Sequence, residues 1–463
     1  MKTSLIVVGA ALLGFVVGPV RTSAQEPDQD LAERLHRLEA QTQVLNDEVQ
    51  QLRDNPGHAT GVTPASATME EADPSQAGIT MDQVRGEIKK FAWSKGDFTV
   101  VPYGFLWGNM VYETERTNPG SFTYYVFSGA EHGDHNFVLD GRNTRIGLDV
   151  SGPRIPFFDC ATSGGKVEID FQGASTASEN KGTVLLRHAY WEVKDDDFRL
   201  LMGQTWDVVS PLYPGTLMYS VGWGGGNIGY RRAQLRAERY LAFSDESLLT
   251  LQGSLNQSLS DSAATVTTTT GLRGEMTPWP ILEGRVGLTL GERKGPDALP
   301  WTFGASAHVG EQGWDIGTAA PDEDIRRRTW SFNIDVRKPL THNIGVQGEF
   351  FTGENLSTFQ GGILQGINPD TLQGICSTGG WFELWYDVSE DLHTHVGYSV
   401  DDPNDGQVNV GGRTFNQFYF GNVSYDLTKR FLVGLEVSSW KTLYKGLDPG
   451  DSVHFEFVGK YGF

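Results

Sequence analysis

The chain has 463 residues, 57 of them glycine and 11% aromatic, and its 37 lysines and arginines against 58 acidic residues leave a net charge of −21. That acidity argues against a general nucleic-acid binder, and two cysteines supply neither a disulfide framework nor a cysteine-rich metal site. Beyond the N-terminus no apolar run of about 18–20 residues occurs, which excludes a bundle of membrane helices but not a barrel, whose strands need apolar residues only at alternate positions.

Residues 1–24 read as a secretory signal peptide: Met1-Lys2-Thr3 precedes an apolar stretch from Leu5 to Val20, and small residues Thr22-Ser23-Ala24 mark the cut. No cysteine follows the cut, so no lipid anchor is expected; an uncleaved anchor helix is the alternative. In residues 25–55 the apolar positions Leu31, Leu35, Leu38, Leu45, Val49 and Leu52, with Thr42 in the skipped place, form an unbroken heptad. Arg34 faces Glu39 and Glu48 faces Arg53 across g and e positions, which suits parallel helices in an oligomerisation coiled coil. A lone amphipathic helix is the alternative, but this segment is too short and polar to be stable by itself. Asn55-Pro56-Gly57 ends it, and residues 56–96 form a Thr/Pro/Ala/Ser linker with a short helix expected over 81–93.

Residues 97–463 carry recurrent period-two alternation. Lys166, Glu168, Asp170 and Gln172 face one way while Val167, Ile169 and Phe171 face the other; Trp330, Phe332, Ile334 and Val336 alternate with Ser331, Asn333, Asp335 and Arg337. A polar face of this kind inside a soluble sandwich buries charges without partners, so it is expected to line an aqueous lumen. The last strand, Ser452 to Phe463, has Val453, Phe455, Phe457, Gly459, Tyr461 and Phe463 on one side and His454, Glu456, Val458 and Lys460 on the other. A chain stopping on such an aromatic strand resembles bacterial outer-membrane proteins, whose C-terminal strand closes a barrel.

Short turns assigned to the periplasm and longer loops to the outside give about sixteen strands, near 98–112, 142–151, 165–173, 184–194, 197–206, 229–241, 247–259 and 280–291, then 301–311, 328–338, 343–353, 379–388, 391–400, 413–426, 430–444 and 452–463. Parity assigns 265–275 to an outer loop, since another strand would put the termini on opposite sides. By the same reading Cys160 is periplasmic and Cys376 external, too far apart to bond.

Leu186-Arg187-His188-Ala189-Tyr190, Met202-Gly203-Gln204-Thr205-Trp206 and Arg231-Arg232-Ala233-Gln234-Leu235-Arg236 resemble the DcaP-like family of trimeric outer-membrane porins, and Gln347 to Leu356 resembles planctomycete-type relatives. The resemblance implies a homotrimer, held through coiled coil and barrel walls, that passes small, often anionic, organic solutes. It covers most of the barrel; the longer Gly/Trp loop departs from the pattern and leaves the solute open.

That loop, Asp207 to Ile228, contains Pro211, Tyr213, Pro214, Trp223 and Gly224-Gly225-Gly226, and resembles the inward-folding constriction loop of trimeric porins; a mobile surface loop is the alternative. Arg145, Arg187, Arg232, Gln234 and Arg236 are expected to point inward, where guanidiniums in a narrow aqueous passage favour anions. The arginines could equally pair with Asp149, Glu168 or Asp170 as wall scaffolding. Acidic residues such as Glu131, Asp134, Asp322, Asp401 and Asp405 are read as crowding loops and turns. His393 and His395 share a strand face but lack a third metal ligand, and no Gly-x-Ser-x-Gly or other nucleophile–base pairing is apparent, so no catalytic residue, metal or cofactor is assigned. The reading is an all-β transmembrane barrel with an α-helical coiled-coil arm, in a bilayer with a lipopolysaccharide-type outer leaflet, acting as a passive diffusion channel. A structural or adhesive surface protein anchored by its barrel is the alternative.

Overall fold

The structure, a computed structural model, describes residues 92–463 apart from 130–133, 159–160, 174–181, 260–272, 276, 294, 296–297 and 317–322. The expected signal peptide and coiled coil therefore lie outside the described residues, as do Cys160 and residues 81–91 of the expected 81–93 helix; at the end of that span Trp93 instead opens a short strand, Trp93–Lys95, paired with Phe98 to Val100.

Sixteen wall strands follow one another in the chain. They are β1 (Phe98–Glu113), β2 (Asn136–Asp140 continued by Arg145–Ile155), β3 (Ala161–Asp170), β4 (Leu185–Lys194), β5 (Phe198–Trp206), β6 (Arg231–Ser244), β7 (Ser247–Asn256) and β8 (Ile281–Leu290). There follow β9 (Trp301–Ile316), β10 (Glu323–Pro339), β11 (Ile344–Glu354), β12 (Cys376–Asp387), β13 (Leu392–Pro403), β14 (Arg413–Thr428), β15 (Phe431–Tyr444) and β16 (Leu447–Gly462). Each pairs antiparallel with its sequence neighbours, and β16 pairs with β1 from Phe105↔Gly462 to Glu113↔His454. Closure leaves the wall no unpaired edge, which a sheet in lipid requires.

Alternation explains why these segments form a barrel rather than a soluble sandwich. On β10 Phe332 is 44% exposed while its neighbours Ser331 and Asn333 are 2% and 3% exposed. The same pattern recurs in Leu235, Val286, Phe303, Phe382, Val396, Leu435 and Phe455, all exposed on the outer surface. A continuous apolar belt of this extent is incompatible with water on that side. Phe463 completes the closure: its backbone N–H donates to the Gly104 carbonyl (3.0 Å).

Several strand boundaries differ from expectation; β9 and β10, for example, extend to Ile316 and from Glu323, beyond the expected 301–311 and 328–338. The second strand is interrupted at 141–144 and extends upward to Asn136, so its two pieces pair with different stretches of β1. Leu447, not Ser452, begins β16, because Gly446 at φ +77° makes a two-residue turn possible and lets β15 and β16 pair to their ends. Arg273–Glu275 forms a short strand against the outer end of β9, yet β7 still pairs directly with β8, so the segment remains a loop annex rather than a wall strand.

Connections at the end bearing both barrel termini are mostly short, such as 195–197, 245–246 and 429–430, whereas the opposite end carries the long ones. Three of the long loops, the first (114–135), third (207–230) and sixth (355–375), send residues into the barrel. Phe122 and Val126 of the first, Met218 and Trp223 of the third, and Phe359 and Ile363 of the sixth are all at most 2% exposed.

Candidate functional site

The third loop leaves β5 at Trp206 and crosses to the opposite wall, where three inward-facing glutamates receive it. Leu212 N–H donates to Glu349 Oε1 (2.8 Å), and the Ser210 hydroxyl donates to the other oxygen of that carboxylate. Gly215 N–H donates to Glu383 Oε2 (2.5 Å); Leu217 N–H and the Thr216 hydroxyl both donate to Glu436 (2.7 and 2.5 Å). Together these hydrogen bonds tie the loop across β11, β12 and β15. Gly215 allows the approach, since a Cβ there would collide with the His395 ring.

The loop returns through Tyr219, whose hydroxyl donates to Asp170 Oδ2 on β3 (3.0 Å), and Ser220, whose hydroxyl donates to the Thr123 carbonyl of the first loop (2.9 Å). Gly226 sits at φ +133° with the backbone of β12 and β13 so close that any side chain would clash. Trp223 is buried against Trp206 and Tyr230 (centroids 5.9 and 5.3 Å), while the half-buried Tyr213 packs on Trp206 (5.0 Å). Gly224 donates to Gln360 of the sixth loop (2.9 Å) and accepts from Asn416 Nδ2 (2.8 Å).

All the arginines expected to point inward do so, but most are packed rather than bathed in water. Arg187 is 3% exposed and pairs with Glu168 (2.6 Å) and Asp170 (2.8 Å), the scaffold alternative raised by the sequence. Arg232 is 1% exposed, lies 3.7 Å from Asp207 and 3.9 Å from Glu283, and covers the Phe359 ring. Arg236 pairs with Glu238 (2.9 Å), and Gln234 spends its amide on the Trp206 carbonyl (2.9 Å). Arg145, on β2, is half-buried, its guanidinium 5.2 Å from the centre of Phe105. Expecting Arg187, Arg232 and Arg236 to face open water is therefore corrected: the inward-folded loops cover them, and a charge so covered must be paired. At the root of the loop, burial pushes the Asp207 carboxyl up to about 6, with Arg232 pulling the other way.

Sequence reading missed several inward residues. Acidic residues do not merely crowd the loops: besides Glu168, Asp170, Asp335 and Glu456, which the alternation puts on the polar faces, Glu113, Glu283, Glu349, Glu383 and Glu436 also face inward on the wall. Their signal was available, since each falls at an inward position of an alternating strand. Arg231 was quoted only as part of a motif, yet its guanidinium sits among Trp206, Tyr230 and Trp223 (4.6, 5.1 and 5.9 Å to the ring centres). His393 bonds Asp387 (2.6 Å) and His395 approaches Glu383 (3.4 Å); among the described residues no group of three His, Cys, Asp or Glu is placed to hold a metal ion.

No protein-family model matches the sequence, and no curated protein matches it. Among solved structures, the outer-membrane channel DcaP of Acinetobacter baumannii is similar at TM-score 0.63 and 19% identity, over 80% of this chain and 99% of that one. The two share a fold. OmpT of Vibrio cholerae (TM-score 0.49, 11% identity, 80% of this chain and 100% of that one) and an anion-selective porin from Comamonas acidovorans (0.47, 11%, 79% and 100%) are more remote and carry no argument here. At 19% identity the DcaP likeness concerns the barrel alone, and roles for individual side chains rest on the geometry above.

Proposed function

We propose that the chain is a passive diffusion channel of the bacterial outer membrane for small hydrophilic solutes, with a preference for anions. One observation carries this reading: a closed barrel with an apolar outer belt has its third loop drawn inward and tied to the far wall by Glu349, Glu383 and Glu436. A barrel serving only as an anchor has no use for a loop built across its lumen, which disfavours the adhesive alternative. Anion preference is ascribed to lumen cations that keep some contact with water, Arg145, Lys166 and Arg199. A trimer assembled through the coiled coil of 25–55 and the barrel walls is part of the proposal, the heptads and the opposed g and e charges supporting it.

Reconstitution of the full purified chain in planar bilayers tests it. Discrete conductance steps, with a reversal potential of anionic sign in a salt gradient, are expected. A folded, heat-modifiable barrel that conducts nothing would overturn the channel reading, and a cationic reversal potential would overturn the selectivity.

A further inference from the structure

The residues of the sixth loop are not those of a surface loop. Leu356, Phe359 and Ile363 are fully buried. Asn355, Gln360, Ile363 and Leu364 all lie at φ between 50° and 64°, a left-handed conformation that is uncommon for non-glycine residues and a genuine outlier for a branched one. Such strain persists only where the surroundings over-determine it, and here they do. Thr329 Oγ1 donates to the Asn355 carbonyl (2.8 Å), Ile363 N–H donates to Asp401 (3.0 Å), and Gln365 and Arg413 exchange two hydrogen bonds (2.7 and 2.9 Å).

What this loop grips is the third loop. Its Phe359 and Gln360 carbonyls accept from Gly229 N–H (2.8 Å) and Gly224 N–H (2.9 Å), and its Leu356 packs with Ile228 and Phe351. The Phe359 ring stacks on His308 of β9 (3.8 Å, 17°), lies 3.8 Å from the Arg232 guanidinium carbon, and joins Val209 and Ile281. Arg232 in turn donates to the Thr358 carbonyl (3.1 Å). Both the outgoing root of the constriction loop, at Val209, and its return, at Ile228 and Gly229, thus rest on one five-residue stretch of the sixth loop.

We propose that the 355–375 loop is the clamp that sets the position of the constriction loop, with Phe359 as the positioning residue at its centre. This rests on the channel reading. Carboxylates hold the third loop at its far side and the clamp holds it at its root, so loss of the clamp leaves the loop tethered but free to shift its height in the lumen. The expected consequence is a channel that is folded yet noisy.

Single-channel recordings of Phe359→Ala and Phe359→Leu, beside the native chain, test this. Phe359→Ala should flicker among two or more conductance levels per pore where each native pore shows one, and Phe359→Leu, which keeps apolar bulk, should lie between. Heat-modifiable mobility on gels reports the barrel separately. Should Phe359→Ala fail to assemble, Asp401→Asn decides, since it weakens the anchor of Ile363 without emptying the packing; flicker there sustains the proposal. A steady, native-like conductance in an assembled Phe359→Ala, or in Asp401→Asn where Phe359→Ala does not assemble, overturns the clamp while leaving the channel intact. A native chain without conductance overturns the channel reading instead.

Discussion

Arg187 is fixed by two carboxylates inside the wall, and that pairing changes what its substitution does. Arg187→Ala strands Glu168 and Asp170 without their cation, and breaking a buried pair from one side costs about 3–5 kcal/mol. A marked drop in the unfolding midpoint of the barrel is expected, and an unchanged midpoint would refute the assignment. Arg232 and Arg236 belong to the same class, since each has a carboxylate near it and little water. Reversing them to glutamate should impair assembly rather than switch selectivity cleanly. Selectivity is expected to respond instead to Arg145→Glu with Lys166→Glu, side chains that retain exposure in the lumen. The reversal potential should move toward cations, whereas Asp405→Lys on an exposed loop should change it little, because such charges are screened within about 8 Å. A larger shift from Asp405→Lys would place the selective region elsewhere. The inward direction of all these side chains was legible in the alternation; their partners were not, because a strand pattern says which face a residue takes and nothing about the loop that comes to lie on it.

At the scale of elements, the third loop is defined by what receives it. Glu349, Glu383 and Glu436 come from three strands spread over nearly ninety residues, and none is near the loop in sequence. Replacing all three by alanine removes the acceptors, so the loop should leave its tether and single-channel conductance should rise. Replacement by glutamine keeps a carbonyl acceptor at each position and should lie much closer to the native value. Equal conductance in the native and triple-alanine proteins would sink the tether. The outer belt makes an opposite kind of demand. Phe382 is 54% exposed on the lipid side of β12, and an arginine on that face costs about 2–4 kcal/mol near the bilayer midplane. Phe382→Arg should therefore lower the yield of folding into lipid vesicles, while Phe382→Leu should not; equal yields would argue against lipid contact at this face.

For the whole molecule, removing residues 31–54 should weaken oligomers on gels while sparing the barrel, since the heptads precede the first wall strand in the sequence; oligomers of undiminished mass and heat resistance would count against the coil. The sequence by itself determined the number and direction of the strands, because period-two alternation records the contrast between lipid and lumen at every step, and an even count is forced once β16 must meet β1 at the end where the chain enters. It also determined that the third loop is long, glycine-rich and aromatic. Only the tertiary structure decided that the first and sixth loops enter the barrel beside it, that Arg187, Arg232 and Arg236 are covered, and that inward glutamates hold the loop across the lumen. The reason is physical: face and period are local properties, written residue by residue, whereas the partner of a buried charge or a folded-in loop is set by closure of the sheet, which brings β3, β6, β11 and β15 around one space.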